Sequence, residues 1–268
     1  MIFDTKESTI EVGGMSIDYV VFGRGSKPMV IIPGLTFKRL RGTGITLAHM
    51  YMDFTDDFRV YVFDRRKDIP DGYSVEDIAD EIYSAMKALS IEKACMLGVS
   101  QGGMAVQYLA MEHPEMVEKL VLGVTLSRPN PTMREAVAEW TALTENGDLE
   151  GLVLNSMRRG YPPEKFNKFR LIMPAIVKAG KPKDPTEFMR MAKACLTCDT
   201  YDRLTEIKCP TLVIGDRQDN IVTGEASVEI AEKMGCELVM FDGYCHSAHE
   251  EKAFNKEVFR FFTEQSEN

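Results

Sequence analysis

The sequence lacks any apolar run long enough to cross a membrane. No segment of the 268 residues approaches the roughly 18 consecutive apolar residues of a transmembrane helix. The opening residues have no apolar core behind a basic lead, so we expect no signal peptide and a cytoplasmic protein. Positive charge is also scarce, because 32 lysines and arginines face 41 acidic residues. The net charge of −9 argues against nucleic acid or a membrane surface as a partner.

Cysteine is present, but without the arrangement of a disulfide framework or a zinc site. Six cysteines are spread through the chain, and reduced thiols are the expectation for a cytoplasmic protein of this size. Cys195 and Cys198 form a C-x-x-C pair, yet no second cysteine or histidine pair stands near it. We therefore predict two buried or half-buried thiols on one helix and no metal ion.

Internal repeats and low-complexity segments are absent as well, and strand-like and helix-like patterns alternate in their place. Short continuous apolar runs, typical of strands buried on both faces of a parallel sheet, occur at 28–34, 58–64, 93–99, 119–125, 210–216 and 237–243. Apolar residues at helical spacing separate most of these runs, most clearly at 74–89, which opens with a Ser74–Asp77 capping box. An alternating stretch broken at Gly13–Gly14 predicts an edge hairpin before the first run. The sequence therefore predicts an α/β protein, with a mostly parallel β-sheet and helices on both faces.

This alternation stops after the predicted sixth strand. Between residues 128 and 202 the pattern is helical, with proline and glycine breaking it into pieces, and strand signals resume on the far side. We therefore predict one core domain made of residues 1–127 and 203–268. The segment 128–202 is predicted to be a helical insert between two strands of the same sheet.

A lone serine among glycines ends one of the predicted buried strands. The stretch reads Gly98-Val99-Ser100-Gln101-Gly102, a G-x-S-x-G pattern with a strand-like run before it and a helix-like run after it. An abrupt turn from strand to helix strains the central residue and leaves no room for neighbouring side chains, which explains the glycines. The pattern predicts an exposed, reactive hydroxyl, and a purely structural serine in a tight turn is the alternative.

A serine hydroxyl at neutral pH needs a base within hydrogen-bond reach, and the base needs an acid to orient it. Of the four histidines, His246 lies on a loop after the last predicted strand, freed by Gly243, at the sheet edge where ligands bind in open α/β folds. It is favoured over His249, which we place in the last helix. For the acid, Asp219 is favoured over Asp216, because it lies further into its loop and can reach the next one. Asp216 is expected to cap the turn.

These stretches together resemble the α/β-hydrolase fold superfamily along most of the chain. The resemblance rests on "GVSQGG", "CPTLVIGDRQDNIV", "GYCHSAHEE" and "VFDRR", and on the order Ser100, Asp219, His246. It implies that Ser100 is the nucleophile, His246 the general base and then acid, and Asp219 the orienting carboxylate. It also implies that the insert is the family's cap. No metal or organic cofactor is implied, because such a triad supplies nucleophile, base and charge stabilisation itself.

One departure from the family pattern concerns the loop after the first parallel strand, where Pro33-Gly34 replaces the His-Gly of many relatives. An oxyanion hole is built from backbone N–H groups, so the missing imidazole need not abolish it. By position, the resemblance implies Leu35 and Gln101 as the donors, with Thr36 as an alternative to Leu35.

Candidate substrate contacts are suggested by basic residues near the expected mouth of the site. Lysines and arginines cluster at 38–41 and at 65–67, which is notable in an acidic chain. We hypothesise that one of these arginines, with Arg39 as the candidate, pairs with an anionic group of the substrate. An internal pair with Asp64 or Asp68 is the alternative. Thr36 and Trp140 are the other candidate substrate contacts.

The favoured interpretation is a hydrolase of small or medium acyl esters that works through an acyl-enzyme. A serine in place of an aspartate argues against haloalkane dehalogenase and epoxide hydrolase chemistry. Thioesterase, lactonase, C–C bond hydrolase and aminopeptidase remain open alternatives within the superfamily. A hydrolase-like receptor for a small molecule is a further alternative, because fold does not fix function. The one partner expected in the favoured case is the small-molecule acyl substrate.

Overall fold

The computed structural model describes residues 4–264, and its centre is an eight-stranded β-sheet. The strands are β1 (Lys6–Val12), β2 (Met15–Phe22), β3 (Lys27–Ile32), β4 (Phe58–Arg66), β5 (Ala94–Val99), β6 (Val117–Gly123), β7 (Thr211–Asp216) and β8 (Glu237–Phe241). Their order across the sheet is β1-β2-β4-β3-β5-β6-β7-β8. β2 pairs antiparallel with β1 and β4, and the other neighbours pair in parallel. Each of the continuous apolar runs in the sequence forms a strand, and the predicted hairpin turns at Gly13–Gly14.

Helices cover the sheet on both faces. They are α1 (Gly44–Met50), α2 (Val75–Ala88), α3 (Gln101–Glu112), α4 (Pro131–Glu145), α5 (Leu149–Gly160), α6 (Pro163–Lys168), α7 (Met173–Gly180), α8 (Pro185–Ala194), α9 (Gly224–Met234) and α10 (Lys252–Thr263). Short 3₁₀ helices lie at Met52–Phe54, Pro114–Met116, Cys195–Thr197, Tyr201–Glu206 and Cys245–Glu250. The predicted capping box starts α2, since Ser74 Oγ accepts from the Asp77 N–H and the Asp77 carboxylate accepts from the Ser74 N–H. None of the helices within residues 4–264 has both the length and the apolarity needed to cross a bilayer.

Two hydrophobic cores lie on opposite faces of the sheet. One core contains apolar residues of α2, α3 and α9, and the other contains apolar residues of α1 and α10. The strands between them are buried on both sides; every residue of β5 and of β7 is buried. This is why these strands appear in the sequence as continuous apolar runs rather than as alternating ones. The predicted fold class is therefore confirmed, with helices on both faces of a mostly parallel sheet.

The segment between β6 and β7 is described throughout, and all its regular elements are helical, α4 to α8 followed by 3₁₀ turns. Asn130 caps α4 by accepting from the Met133 N–H at 2.9 Å, and Asp184 caps α8 by accepting from the Thr186 N–H at 2.9 Å. Helix α8 packs against α4 and reaches the start of α3. The helical insert therefore lies over the loops that follow the parallel strands.

Candidate active site

Ser100 lies at the sharp turn between β5 and α3. Its backbone has φ 51° and ψ −119°, a conformation that non-glycine residues rarely adopt. The neighbouring backbones are too close for side chains: a Cβ added to Gly102 would lie 2.0 Å from the Ile32 carbonyl oxygen, and one added to Gly98 would lie 2.4 Å from Val106 Cγ2. The glycines of the motif are therefore needed for close packing, and the strain predicted for the serine is present.

The turn is held by hydrogen bonds to the loop after β6. The Ser100 N–H donates to the Gly123 carbonyl at 2.9 Å, and Thr125 Oγ1 donates to the Ser100 carbonyl at 2.7 Å. Thr125 also fills the space beside Gly103, because a Cβ added to Gly103 would lie 2.6 Å from Thr125 Cβ. These contacts fix the direction in which the serine side chain leaves the backbone.

Ser100, His246 and Asp219 form one hydrogen-bonded chain. His246 Nε2 lies 3.0 Å from Ser100 Oγ, and His246 Nδ1 lies 2.8 Å from Asp219 Oδ2. With Nδ1 protonated, the imidazole donates to the carboxylate and accepts from the serine hydroxyl, which is the tautomer a general base requires. The structure thus brings together the three residues that the sequence favours, each from a different loop at the same sheet edge.

Asp219 is almost completely buried and ionised. Burial raises the pKa of its carboxyl, but the His246 ring and the N–H groups of Ile221 and Val222 outweigh that effect and hold the pKa below its ordinary value. Asp216 has the other role expected for it. Its carboxylate accepts from the N–H groups of Gln218 and Tyr244, both at 2.9 Å, and so ties the histidine loop to the end of β7.

His249 lies in the 3₁₀ helix Cys245–Glu250, ahead of α10, so the prediction that it belongs to the last helix is wrong. The chain adopts φ 54° at Cys245, and this turn directs His246 toward Ser100 before α10 can begin. His249 Nδ1 lies 3.0 Å from the His246 carbonyl. Burial of the ring, together with His246, lowers the pKa of His249. It is a neutral neighbour of the triad that helps to shape its loop.

Two backbone N–H groups near Ser100, those of Leu35 and Gln101, are the candidates for an oxyanion hole. Gln101 is the first residue of α3, where the helix dipole favours an anion. The loop after β3 passes against the serine, because a Cβ added to Gly34 would lie 3.0 Å from Ser100 Cβ. The N–H groups of Leu35 and Gln101 donate to no acceptor within residues 4–264. Both are therefore available to a substrate oxygen.

A buried arginine, which the sequence did not single out for this role, connects both parts of this candidate oxyanion hole. Arg65 Nη2 donates to the Pro33 carbonyl at 2.7 Å and to Gln101 Oε1 at 3.2 Å. The Gln101 amide in turn donates to the Met191 carbonyl of α8 at 2.6 Å. Arg65 and the Gln101 side chain therefore join β4, the loop after β3, the nucleophile turn and the helical insert.

A small cavity of about 220 Å³ opens beside the triad, and we call it the catalytic cavity. Ser100 and His246 line it together with the mostly apolar side chains of Leu35, Phe37, Met133, Trp140, Phe188 and Ile221. Of the candidate substrate contacts, Trp140 lies in this wall, and its Nε1 donates to Asn155 Oδ1 at 2.9 Å. The indole ring is thus held in the cavity wall by this hydrogen bond.

Thr36 and Arg39 line a second, larger cavity of about 680 Å³, which we call the basic cavity. Thr36 Oγ1 accepts from the Lys38 N–H at 3.0 Å, within its own loop. The Arg39 guanidinium bonds Asp64 at 3.3 Å, Glu187, and the backbone carbonyls of the last two residues of β4. The internal pair with Asp64 is therefore formed, and Arg39 is not free to hold a substrate by itself.

The C-x-x-C cysteines are both buried, as the sequence predicts. They follow α8 on the 3₁₀ turn and its end rather than lying within one α-helix. Gln101 Nε2 donates to Cys195 Sγ at 3.2 Å, and burial raises the pKa of Cys195 to about 11. Burial also raises the pKa of Cys198 to about 12. Both are neutral thiols at physiological pH, and their role here is packing at the C-terminal end of the insert.

Comparisons with known proteins agree with this architecture. The family model for the α/β hydrolase fold matches residues 27–147. A curated protein from Rhizobium rhizogenes named putative carbamate hydrolase RutD is 28% identical over 239 residues, which cover 85% of this chain and 91% of that protein. The likeness thus extends over nearly the full length of both chains.

Solved structures extend the likeness to the whole fold. An α/β hydrolase from a Medee basin deep-sea metagenome library superposes with a TM-score of 0.84 at 18% identity, covering 97% of this chain and 99% of that one. The enol-lactonase from Burkholderia xenovorans superposes with a TM-score of 0.83 at 22% identity, covering 96% of this chain and 100% of that one. With the sheet order, the sharp turn at Ser100 and the family match in agreement, the fold of this chain is the α/β-hydrolase fold.

Proposed function

We propose that this protein is a serine hydrolase that cleaves small or medium acyl esters through an acyl-enzyme. The hydrogen-bonded chain from Ser100 Oγ through the His246 ring to Asp219 carries the proposal. Nucleophile, base and orienting acid are already within the distances that proton transfer requires. The hydroxyl faces a cavity, so a substrate carbonyl can approach it.

In the first half-reaction, Ser100 Oγ attacks the ester carbonyl while His246 Nε2 takes the hydroxyl proton. The carbonyl oxygen becomes an oxyanion that the N–H groups of Leu35 and Gln101 stabilise. Asp219 stays ionised and stabilises the imidazolium, as its lowered pKa favours. The tetrahedral intermediate then collapses, the C–O bond to the alcohol breaks, and His246 gives its proton to the departing oxygen.

In the second half-reaction, water replaces the alcohol. His246 removes a proton from the water as it attacks the acyl carbonyl, and the same N–H groups stabilise the second oxyanion. Collapse breaks the bond to Ser100 Oγ, which recovers its proton from His246. The products are the carboxylic acid and the free enzyme. Arg65, which bonds both the Pro33 carbonyl and the Gln101 side chain, holds the two N–H donors in position during both half-reactions.

The size and lining of the catalytic cavity support a small or medium acyl group. Its volume of about 220 Å³ is below the roughly 300–1,000 Å³ of drug-sized ligand pockets. Trp140, Phe188 and Leu35 provide apolar walls on which an acyl chain can pack. A short aliphatic acyl group therefore suits this site better than a long one.

Carbamates are the second candidate substrate class, because the relative named a putative carbamate hydrolase aligns over 85% of this chain. The same serine attack on a carbonyl serves a carbamate, whose carbonyl bears a nitrogen on one side. Comparing the rates of phenyl acetate and phenyl carbamate cleavage, by release of phenol, separates the two classes. Faster carbamate cleavage would move the proposal to that class without changing the residue roles.

The test of the proposal is steady-state hydrolysis of 4-nitrophenyl esters from acetate to octanoate. We expect wild-type turnover to be highest with short acyl groups, and Ser100→Ala to lower kcat by at least about 10⁴-fold. Ser84→Ala is the matched control, since it removes a hydroxyl from α2, away from the cavity. Wild-type turnover that persists in Ser100→Ala would contradict the proposal. A single burst without turnover would favour the receptor alternative.

A further inference from the structure

The basic cavity is strongly positive in a protein that is negative overall. Its lining contains seven lysines and arginines and four aspartates and glutamates, an excess of three positive charges, while the whole chain has a net charge of −9. The cations come from separate parts of the chain: the loop after β3, the end of β4, and the segment between α7 and α8. A concave wall of one sign concentrates ions of the opposite sign.

Several of these cations are not neutralised by the protein. Lys38 and Lys183 form no ion pair with any residue between 4 and 264, and both are exposed at the cavity. Arg41 and Lys67 share a single carboxylate, that of Asp18, at 3.8 and 3.2 Å. The wall therefore has positively charged groups that the protein's own carboxylates do not fully neutralise. These groups are distinct from the arginines that bond to the backbone of the fold.

The basic cavity also touches the nucleophile turn. Gly34 and Gln101 line it, and a Cβ added to Gly34 would lie 3.6 Å from Ser100 Oγ. Between this cavity and the catalytic cavity stand two side chains that line both, Phe37 and Phe188, with ring centroids 4.7 Å apart. Because these two shared residues meet the cavities through their side chains, a change of rotamer in either ring alters the separation between the two cavities.

We infer that the basic cavity binds an anionic group, a carboxylate or a phosphate, carried by the substrate whose carbonyl Ser100 attacks. The inference rests on the proposed function and narrows it to anionic acyl substrates. Lys38 and Lys183 hold the charged end, and the Phe37–Phe188 pair packs against the apolar part that connects this end to the carbonyl. The charge on the far end selects the substrate, while the triad performs the same acyl transfer.

Matched substrate pairs test this directly. The monoester 4-nitrophenyl adipate is compared with 4-nitrophenyl hexanoate, which places the anion on the acyl side. The ester 4-carboxyphenyl hexanoate is compared with 4-carbamoylphenyl hexanoate, which places it on the leaving group. After subtraction of spontaneous hydrolysis, we expect kcat/KM to favour the anionic member of at least one pair by about tenfold. Equal values within both pairs would overturn the inference.

Charge-removing variants identify the cavity as the origin of the preference. We expect the double variant Lys38→Gln/Lys183→Gln to lose the preference for the anionic ester, so that kcat/KM becomes equal for the anionic and the neutral member of the pair. The double variant Lys87→Gln/Lys93→Gln is the control, since it removes the same charge from two exposed residues that do not line the cavity. Lys87 lies at the C-terminal end of α2, and Lys93 directly precedes β5. A preference that survives in the first variant, or falls equally in both, would contradict the assignment.

Failure of the proposed function gives a different result. In that case neither member of any pair is cleaved in a Ser100-dependent way, and calorimetric binding of free adipate then decides the inference. We expect adipate to bind the wild type and to bind Lys38→Gln/Lys183→Gln about tenfold more weakly. No adipate binding, or unchanged affinity in the double variant, would overturn it independently of catalysis.

Discussion

At Ser100 the backbone is held in a conformation that costs about 1–3 kcal/mol when the surroundings do not compensate it. The compensation is visible on both sides of the residue, in the hydrogen bonds to Gly123 and Thr125 and in the close packing at Gly98 and Gly102. The strain places Oγ at the edge of a cavity, within reach of His246. The close packing explains why Gly98 and Gly102 have no room for a side chain.

Arg65 gives a prediction at the same scale. Replacing it with lysine keeps the charge but loses the planar fork that bonds both the Pro33 carbonyl and Gln101 Oε1. The two oxyanion donors then lose their common support, and we expect kcat for short esters to fall about tenfold with little change in KM. The loss appears in kcat because the donors act on the transition state.

The control for Arg65→Lys is Arg59→Lys, at the other end of β4, where the guanidinium bonds the Gly23 carbonyl. Kinetics of 4-nitrophenyl acetate hydrolysis compare the two variants. An unchanged kcat in Arg65→Lys, or an equal fall in both variants, would contradict the positioning role.

The candidate catalytic residues could be identified from the sequence, whereas the residues that support them could not. Ser100 stands in a motif with strict local requirements, and His246 and Asp219 each follow a recognisable buried strand. The link from Arg65 through Gln101 to α8 joins residues far apart in sequence, and neither residue type is unusual where it stands. Such a contact leaves no recognisable pattern in the sequence around either residue, because it depends on how the insert packs over the sheet.

At the scale of elements, α8 connects the insert to both cavities. Its Glu187 pairs with Arg39, its Phe188 stands in the shared wall, and its Met191 carbonyl accepts from Gln101. Continuous apolar runs predicted the buried strands well because a parallel sheet leaves no polar face. The helical nature of the insert was also predictable. Its docking was not, since the helical pattern alone does not say which face meets the sheet.

Phe188→Ala tests the wall between the cavities. Removing the ring is expected to join the two spaces and to raise kcat/KM for octanoate relative to acetate by about tenfold, since about two further CH₂ groups then become buried. Because Phe188 is only 3% exposed, we also expect a loss of about 3–5 kcal/mol in the free energy of unfolding.

The matched control is Phe166→Ala on α6, whose ring lines neither cavity. Ester kinetics across the acyl series and denaturant unfolding measure the two effects separately. An acyl-length profile that is the same in wild type and Phe188→Ala would contradict the shared wall.

At the scale of the whole molecule, charge is distributed unevenly. The chain is acidic overall, but seven of its lysines and arginines line the basic cavity. This cavity lies at the same edge of the sheet as the triad. Composition predicted a negative net charge, and the basic clusters at 38–41 and 65–67 indicated where the local excess of positive charge lies. The contribution of Lys181 and Lys183 from the insert appears only in the folded chain.

The pH dependence of stability is a second property of the whole molecule. Burial and His246 hold the pKa of His249 below the ordinary value of about 6.5. Below that value the unfolded chain takes up a proton that the folded one does not, so stability falls as the pH falls. Asp219 acts in the same direction, but its lowered pKa matters only below the ordinary value of about 3.9.

We therefore expect the melting temperature to drop between about pH 7.5 and pH 5.5, and to drop less in His249→Gln. Calorimetry of both proteins in the same buffers measures the two slopes. An equal or steeper slope in the variant would show that His249 is not the group whose protonation opposes folding in this range.

The most direct test of the central claim, that Ser100 is an activated nucleophile, is mass spectrometry after exposure to diethyl 4-nitrophenyl phosphate. Attack by Ser100 Oγ on phosphorus releases 4-nitrophenolate and leaves a diethylphosphoryl group on the protein. We predict one such group, mapped to Ser100, lost in Ser100→Ala and formed much more slowly in His246→Gln. No adduct, or an adduct on another residue that persists in Ser100→Ala, would contradict the account.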